Sequence, residues 1–146
     1  MKLLVLNGPN LNLLGLREPA IYGREDYKML CKRIRDHAAA RGVEVEIFQS
    51  NHEGVLVDMI QGTLENGFDG IVFNPAAYTH TSIALLDALK AVGVPTVEVH
   101  LSKVEEREGF RRISYVRAAC IATVSGRGQA GYLDAIDLLL SHLAGK

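Results

Sequence analysis

An arginine and a tyrosine, Arg17 and Tyr22, lie five residues apart in the segment REPAIYG, which shows neither helical nor strand periodicity. A free phenol titrates at about pH 10, so Tyr22 could act as a base at neutral pH only beside a cation that stabilises its phenolate. Arg17 carries such a charge permanently. With Gly15 and Gly23 as hinges, the segment is interpreted as a lid. A second interpretation is a tyrosine packed at the edge of the core, with the arginine in solvent. The residue types alone favour this second interpretation over the lid.

A glutamate and a histidine, Glu98 and His100, lie two positions apart in the stretch VEVHLS at 97–102. On a strand they share one side of the sheet, where the carboxylate would orient the imidazole and favour its protonated form, a general acid. A pair that only satisfies its own hydrogen bonds fits the spacing equally well. His80 and His100 could hold a metal only with a third ligand. No HxH motif, HExxH motif or cluster of carboxylates accompanies them, so no metal site is predicted.

Polar stretches follow three strand-like segments at the point where each ends: NGPN at 7–10, NPAAYTH at 74–80 and HLS at 100–102. Each stretch alone would be a turn or a surface histidine. In a parallel sheet the three converge at one edge, where ligands bind. Their combination therefore predicts a functional crevice. The remaining histidines are interpreted as structural: His37, His52 and His142.

The stretch GRGQAG at 126–131 matches the GxGxxG pattern and follows a strand-like segment. A dinucleotide site also needs a later strand with an acidic residue about 20 residues further on. The sequence ends at Lys146 inside the next predicted helix, so a structural turn is expected instead. No GxxxxGK[ST] loop occurs, and no phosphate loop of that kind is predicted.

Strand-like and helix-like segments alternate along the whole sequence, which is typical of a parallel α/β domain. The predicted strands are KLLVLN (2–7), VEVEIFQ (43–49), GIVFN (70–74), TVEVH (96–100) and CIATVS (120–125). Apolar residues at helical spacing predict three helices, which end before Gly42, Gly67 and Gly93, and a fourth that carries Leu133 to Leu143. A shorter helix is expected near residues 105–115.

The second strand alternates apolar and charged residues, whereas the first and third are continuously apolar. The second strand therefore belongs at an edge and the other two belong inside the sheet. This pattern favours a flavodoxin-like three-layer sandwich with a five-stranded parallel sheet in the order 2-1-3-4-5, formed by a single domain over 1–146. Its ligand crevice lies at the switch point between strands 1 and 3.

The bulk composition excludes several classes of protein. Sixteen basic and seventeen acidic residues among 146 give a formal charge of −1, so nucleic acid and anionic membranes are not expected partners. Cys31 and Cys120 lie in apolar stretches without CxxC spacing, which indicates reduced thiols. The N-terminal apolar run is too short for a signal peptide, and no stretch is long enough to span a membrane. A cytoplasmic location is expected.

Four motifs together resemble one known family, the type II 3-dehydroquinate dehydratases. They are NGPNLNLLGLREPAIYG (7–23), FNPAAYTHTS (73–82), VEVHLS (97–102) and REGFRRISY (107–115), in the order and spacing of the family. The resemblance implies a flavodoxin-like subunit, assembled as a dodecamer of trimers. It also implies an enzyme of the shikimate pathway that needs no cofactor and converts 3-dehydroquinate into 3-dehydroshikimate by loss of water through an enolate.

The resemblance further implies a role for each matching residue. Tyr22 matches the base that removes the proton next to the ketone, and Arg17 matches the arginine that supports its anionic form. His100 matches the acid that protonates the departing hydroxyl, and Asn10 matches the asparagine that holds a water near the enolate oxygen. The matching substrate-binding positions are Asn74, His80, Leu101, Ser102 and Arg111, with Asp87, which reaches the site of a neighbouring subunit.

Three positions depart from the pattern of the family. Lys103 stands where many members carry asparagine, Leu86 replaces a frequent arginine, and Ala91 lies where some members place an acidic residue. A binding module for a mononucleotide or a phosphoryl group would need a phosphate-binding first loop or acidic residues after strand 1, and NGPN offers neither. An enzyme of the same fold that acts on another hydroxy-ketone stays open.

Overall fold

A computed structural model describes residues 1–16, 20 and 25–145 of the chain. The sequence-predicted lid falls largely outside these ranges. Arg17 and Tyr22 both lie outside the described residues, so their predicted pairing remains a prediction.

The described residues form one five-stranded sheet with helices on both faces. The strands are β1 (Lys2–Asn7), β2 (Glu44–Gln49), β3 (Gly70–Asn74), β4 (Thr96–His100) and β5 (Ala122–Ser125). The helices are α1 (Tyr27–Ala40), α2 (Glu53–Gln61), α3 (Ile83–Val92) and α4 (Ala130–Ala144). All neighbouring strands are parallel and their order is β2-β1-β3-β4-β5. The predicted flavodoxin-like order is confirmed.

The burial of each strand matches its position in the sheet. Strands β3 and β4 are buried at every residue, and β1 is buried from Leu3 onwards, because helices cover both faces of the central strands. Strand β2 alternates between exposed and half-buried residues, as its alternating sequence predicts for an edge. Strand β5 forms the opposite edge.

Two hydrophobic cores lie on opposite faces of the sheet, because successive side chains of a strand point to opposite sides. Leu3 and Val5 pack with α1 and α4 on one face, whereas Leu4 and Leu6 pack with α2 and α3 on the other. Side chains cap two helices: Asp26 accepts a hydrogen bond from the N–H of Met29 at the start of α1, and Ser82 does the same for α3. The result is a three-layer sandwich.

Two helices differ from the sequence prediction in detail. Helical spacing of apolar residues predicts Leu64 in the second helix and Ile83 on the apolar face of the third. Helix α2 ends at Gln61, so Leu64 lies beyond it and is 62% exposed. Helix α3 buries Leu85, Ala88 and Leu89, while Ile83 is 49% exposed. This helix carries apolar residues on both sides, so periodicity alone does not single out its inner face.

The segment after β4 was expected to contain one short helix near 105–115. It forms instead three short 3₁₀ turns, Val104–Glu106, Gly109–Arg111 and Val116–Ala119. Its charged residues offer no apolar stripe at helical spacing, and a turn of this kind needs none. Within the described ranges, no helix has both the length and the apolar character that a membrane span requires.

Candidate active site

A cleft of about 250 Å³ opens beyond the carboxyl ends of β1, β3 and β4. Its walls come from the loop after β1, the 3₁₀ turn after β3, the chain just after β4, and the turns that carry Arg107 and Arg111. The cleft lies at the switch point of the sheet, where the sequence predicts it.

The cleft brings most of the sequence-predicted site residues together. Those that line it are Asn10, Asn74, His80, His100, Leu101, Ser102 and Arg111. Glu98 lies beneath them, bonded to His100. Asp87 does not line the cleft of this chain, and is exposed on α3.

Close backbone contacts lock the loop after β1 to the loop after β3. The N–H of Gly8 donates a 2.8 Å hydrogen bond to the carbonyl of Asn74, and a Cβ at Gly8 would overlap the carbonyl of Pro75. Only glycine fits there. Asn10 has a left-handed backbone (φ 70°), and its N–H donates to Oδ1 of Asn51 at 3.0 Å. The position of Asn10 at the rim is thus set by its backbone.

A buried chain of hydrogen bonds fixes the carboxamide of Asn74. The backbone N–H of Ala76 can only donate, so it holds Oδ1 of Asn74 at 3.0 Å and turns Nδ2 away from it. Nδ2 then donates to the hydroxyl of Tyr132 at 2.9 Å, and that hydroxyl donates to Oδ1 of Asn7 at 2.6 Å. Nδ2 of Asn7 donates in turn to the hydroxyl of Tyr27. Asn74 therefore keeps one N–H beyond these bonds, which suits an acceptor on a ligand.

The imidazole of His100 lies on a buried carboxylate. Nε2 of His100 is 2.5 Å from Oε2 of Glu98, and the two residues are 4% and 0% exposed. A carboxylate can only accept, so Nε2 carries a proton and Nδ1 is the ring nitrogen left for a ligand. Glu98 and His100 are two positions apart on β4, so their side chains lie on the same side of the sheet. The sequence predicts this arrangement.

Four further side chains surround the carboxylate of Glu98. Ser114 donates to Oε2, while Arg117 and Thr123 donate to Oε1. The hydroxyl of Thr79 lies 3.2 Å from Oε2, and it donates to Ser114 at 2.5 Å because Ser114 gives its only proton to Glu98. Burial opposes the ionisation of Glu98, but these bonds and the charges of its partners, His100 first, outweigh that cost and hold its pKa well below the usual range. The floor of the cleft therefore holds a permanent carboxylate.

The other wall of the cleft is cationic. Arg107 and Arg111 line it, and both lie near Glu108, which accepts from Nε of Arg111. Nδ1 of His80 donates to the carbonyl of Ile113 at 2.7 Å, because a carbonyl can only accept. Burial lowers the pKa of His80, and the nearby charges of His100 and Arg111 lower it further. The bond to Ile113 acts in the opposite direction but does not outweigh them. These groups favour an anionic ligand.

Sequence reasoning missed two parts of the site. Arg107 lies in the quoted motif REGFRRISY, but only the fold shows that it lines the cleft beside Arg111. Three side chains around Glu98, namely Thr79, Ser114 and Thr123, come from three separate segments, and no spacing in the sequence indicates that they meet. Within the described part of the chain, no group of three metal-ligating side chains occurs.

Comparison with known proteins gives a consistent result over the full length. A family model described as dehydroquinase class II matches residues 1–140. The chain belongs to the class II dehydroquinase family. A curated 3-dehydroquinate dehydratase of Clostridium perfringens strain 13 is 49% identical over 146 residues, which cover all of both chains.

Solved structures agree with that assignment. A type II dehydroquinase from Butyrivibrio crossotus has a TM-score of 0.95 and 51% identity, over 96% of this chain and 97% of that one. A type II dehydroquinase from Propionibacterium acnes has a TM-score of 0.91 and 38% identity, over 96% of each chain. The predicted enzyme class, a hydro-lyase of the type II 3-dehydroquinate dehydratase family, is confirmed.

Proposed function

We propose that this chain removes water from 3-dehydroquinate to give 3-dehydroshikimate, by acid–base chemistry within one catalytic domain. The observation that carries the proposal is the buried Glu98–His100 pair at the floor of a cationic cleft, in a chain that aligns from end to end with 3-dehydroquinate dehydratases. The reaction belongs to the shikimate pathway, and the protein works in the cytoplasm.

The first step is loss of a proton from the carbon next to the ketone. The phenolate of Tyr22 accepts that proton, and Arg17 stabilises the phenolate beforehand. The electron pair of the broken C–H bond forms an enolate. Asn10 lines the cleft and holds a water near the enolate oxygen, where its hydrogen bond strengthens as charge develops.

The second step is loss of the hydroxyl group. The enolate electrons form the new double bond as the C–O bond breaks, and the protonated ring of His100 gives its Nδ1 proton to the leaving oxygen, which departs as water. Glu98 supports this role because it holds Nε2 and stabilises the positive ring before the transfer. Proton exchange with solvent then returns Tyr22 and His100 to their starting states.

The substrate is a carboxylate, and the cleft offers groups that suit one. Arg111, His80 and Asn74 line it, together with the backbone of Leu101 and Ser102. We assign the N–H groups of Leu101 and Ser102 to the carboxylate and the three side chains to the remaining substrate oxygens.

We further propose that the protein assembles as a dodecamer of trimers. Asp87 is exposed on α3 and lies outside the cleft of its own chain, which suits a residue that completes the site of a neighbouring subunit. Ile83, on the same helix, is an exposed apolar residue and would be covered in such an assembly.

The experiment is to add 3-dehydroquinate to the purified protein and to follow the ultraviolet absorbance of the conjugated enone product. We expect the absorbance to rise with the wild-type protein and to stay near the background rate with His100→Ala. A folded wild-type protein that binds the substrate and forms no enone would contradict the proposal.

A further inference from the structure

The last residue of β5 and the turn after it contact three successive carbonyl groups, which belong to the last residue of β4 and the two residues that follow it. The N–H of Gly126 donates to the carbonyl of His100 at 3.3 Å, and the N–H of Gly128 donates to the carbonyl of Leu101 at 3.0 Å. The hydroxyl of Ser125 lies 3.2 Å from the carbonyl of Ser102 and 3.2 Å from Oε2 of Glu105, and its one proton is shared between these two acceptors. In an extended strand, successive carbonyls point in alternating directions. Here all three face the same turn, because the chain bends after His100.

The direction of these carbonyls fixes the direction of the neighbouring N–H groups. The described chain contains no cis peptide bond, and in a planar trans peptide the N–H points opposite to the carbonyl. The N–H groups of Leu101 and Ser102 therefore point away from the turn after β5. Strand β4 lies between β5 and β3, so they point towards the cleft beside the end of β3.

Two consecutive N–H groups on one side of the backbone form a concave site for an anion. Neither the N–H of Leu101 nor that of Ser102 has an acceptor among the described residues. The carbonyls of the same peptides accept hydrogen bonds, which polarises these peptides and strengthens the N–H groups as donors.

The turn needs glycine at the two positions that donate. Gly126 and Gly128 have φ of 78° and 57°, a backbone conformation that other residues rarely adopt. A Cβ at Gly126 would also overlap Cγ of Lys103. The GRGQAG stretch therefore forms a turn that bonds the chain at the end of β4, a role that its match to a nucleotide-binding pattern does not indicate.

We propose that Gly126 and Gly128 are positioning residues that align the N–H groups of Leu101 and Ser102 on the carboxylate of the substrate. The inference rests on the proposed function, which brings a carboxylate to these two groups. It adds that the alignment comes from a turn on the far side of β4, which does not itself touch the substrate.

The test compares Gly128→Ala with a matched control, Gly93→Ala. Gly93 ends α3 with a φ of 65°, and at both glycines a Cβ would meet nothing within 4 Å. Both variants therefore suffer the same kind of backbone strain without a clash. Three quantities are measured for each: kcat, KM, and the binding of the product 3-dehydroshikimate relative to its methyl ester.

For Gly128→Ala we expect KM to rise on the order of tenfold, the effect of weakening one charged hydrogen bond, with little change in kcat. The preference for the carboxylate over the ester should fall by a similar factor. Gly93→Ala should leave KM and this preference unchanged. Gly128→Asn should restore most of the wild-type KM and most of the preference for the carboxylate, because asparagine tolerates the left-handed conformation better than alanine.

Ser125→Ala gives a second test without backbone strain, and we expect a smaller change in the same direction. The inference is overturned if Gly128→Ala and Ser125→Ala keep the KM and the preference of the wild type, if Gly93→Ala changes them equally, or if the wild type itself does not prefer the carboxylate to the ester. Failure of the proposed function shows separately, as a wild type that forms no enone.

Discussion

Nε2 of His100 lies 2.5 Å from Oε2 of Glu98 at the buried floor of the cleft. The same carboxylate accepts a hydrogen bond from Nε of Arg117 at 2.9 Å, so a permanent cation shares the charge of Glu98 with the imidazole. The ring is thus held in one orientation by a group that stays ionised. This arrangement links the chemistry of the site to the stability of the fold.

Glu98→Gln should destabilise the protein more at neutral than at acid pH. The folded-state pKa of Glu98 is depressed, so its stabilising contribution is complete above the unfolded value of 4.5 and is lost as the pH falls below that value. Urea unfolding should show a loss of about 1–3 kcal/mol at about pH 7 and a smaller loss at about pH 3.5.

The control for this prediction is Glu65→Gln, at an exposed position, which should cost little at either pH. An equal loss of stability for Glu98→Gln at both pH values would show that Glu98 gains no stability from its ionised form.

Tyr22→Phe should lower kcat by roughly 10²- to 10⁴-fold and change KM much less, because it removes the proton acceptor and keeps the ring. Arg17→Ala should act on the same step, so the double variant should be little worse than the worse single one. Steady-state kinetics of the three variants test this. Tyr115→Phe, an exposed tyrosine that does not line the cleft, is the control and should behave as the wild type.

Near-native kcat in folded Tyr22→Phe would mean that another group is the base. The segment 17–23 would then return to its alternative interpretation as a surface turn.

Tyr132→Phe should cost about 1–3 kcal/mol of folding free energy, because it leaves Nδ2 of Asn74 and Oδ1 of Asn7 buried without their shared partner. It should also raise KM, since the carboxamide of Asn74 loses its fixed orientation. Urea unfolding and steady-state kinetics measure the two effects.

Tyr27→Phe is the matched comparison for Tyr132→Phe, because it removes the hydroxyl at the far end of the same chain of bonds, which is a partner of Asn7 and Cys31 and makes no bond to Asn74. A smaller loss of stability and an unchanged KM are expected. If Tyr132→Phe left both stability and KM unchanged, the buried chain would have no part in positioning Asn74.

The order of the sheet could be predicted because burial leaves a direct trace in the sequence. The alternating residues of β2 indicate an edge and the continuous apolar runs of β1 and β3 indicate the interior, and the structure shows both. Parallel strands bring their carboxyl ends to one edge, so the convergence of Asn10, Asn74 and His100 also followed from the sequence.

The supports of the site could not be predicted, because their residues are distant along the chain. Tyr132 bonds Asn7 across 125 positions and Asn74 across 58. No periodicity encodes such contacts. The sequence predicts a turn at 126–128 and the structure has one, but its bonds to the chain after β4 depend on the pairing of β4 with β5.

Asp87→Ala should weaken catalysis if this exposed aspartate completes the site of a neighbouring subunit. Mixing it with Tyr22→Phe under conditions of subunit exchange should then recover activity, since some hybrid sites hold both intact residues. Asp58→Ala, an exposed aspartate on α2, is the control and should be fully active. A fully active monomer in solution would rule out the shared site.

The central claim is that Tyr22 and His100 eliminate water by acid–base chemistry without a metal or a lysine adduct. The most direct measurement is the rate of enone formation from 3-dehydroquinate after exhaustive chelation, and again after treatment with borohydride in the presence of substrate. We predict the untreated rate in both cases. Loss of activity that added metal restores, or irreversible inactivation with a mass increase on a lysine, would contradict the account.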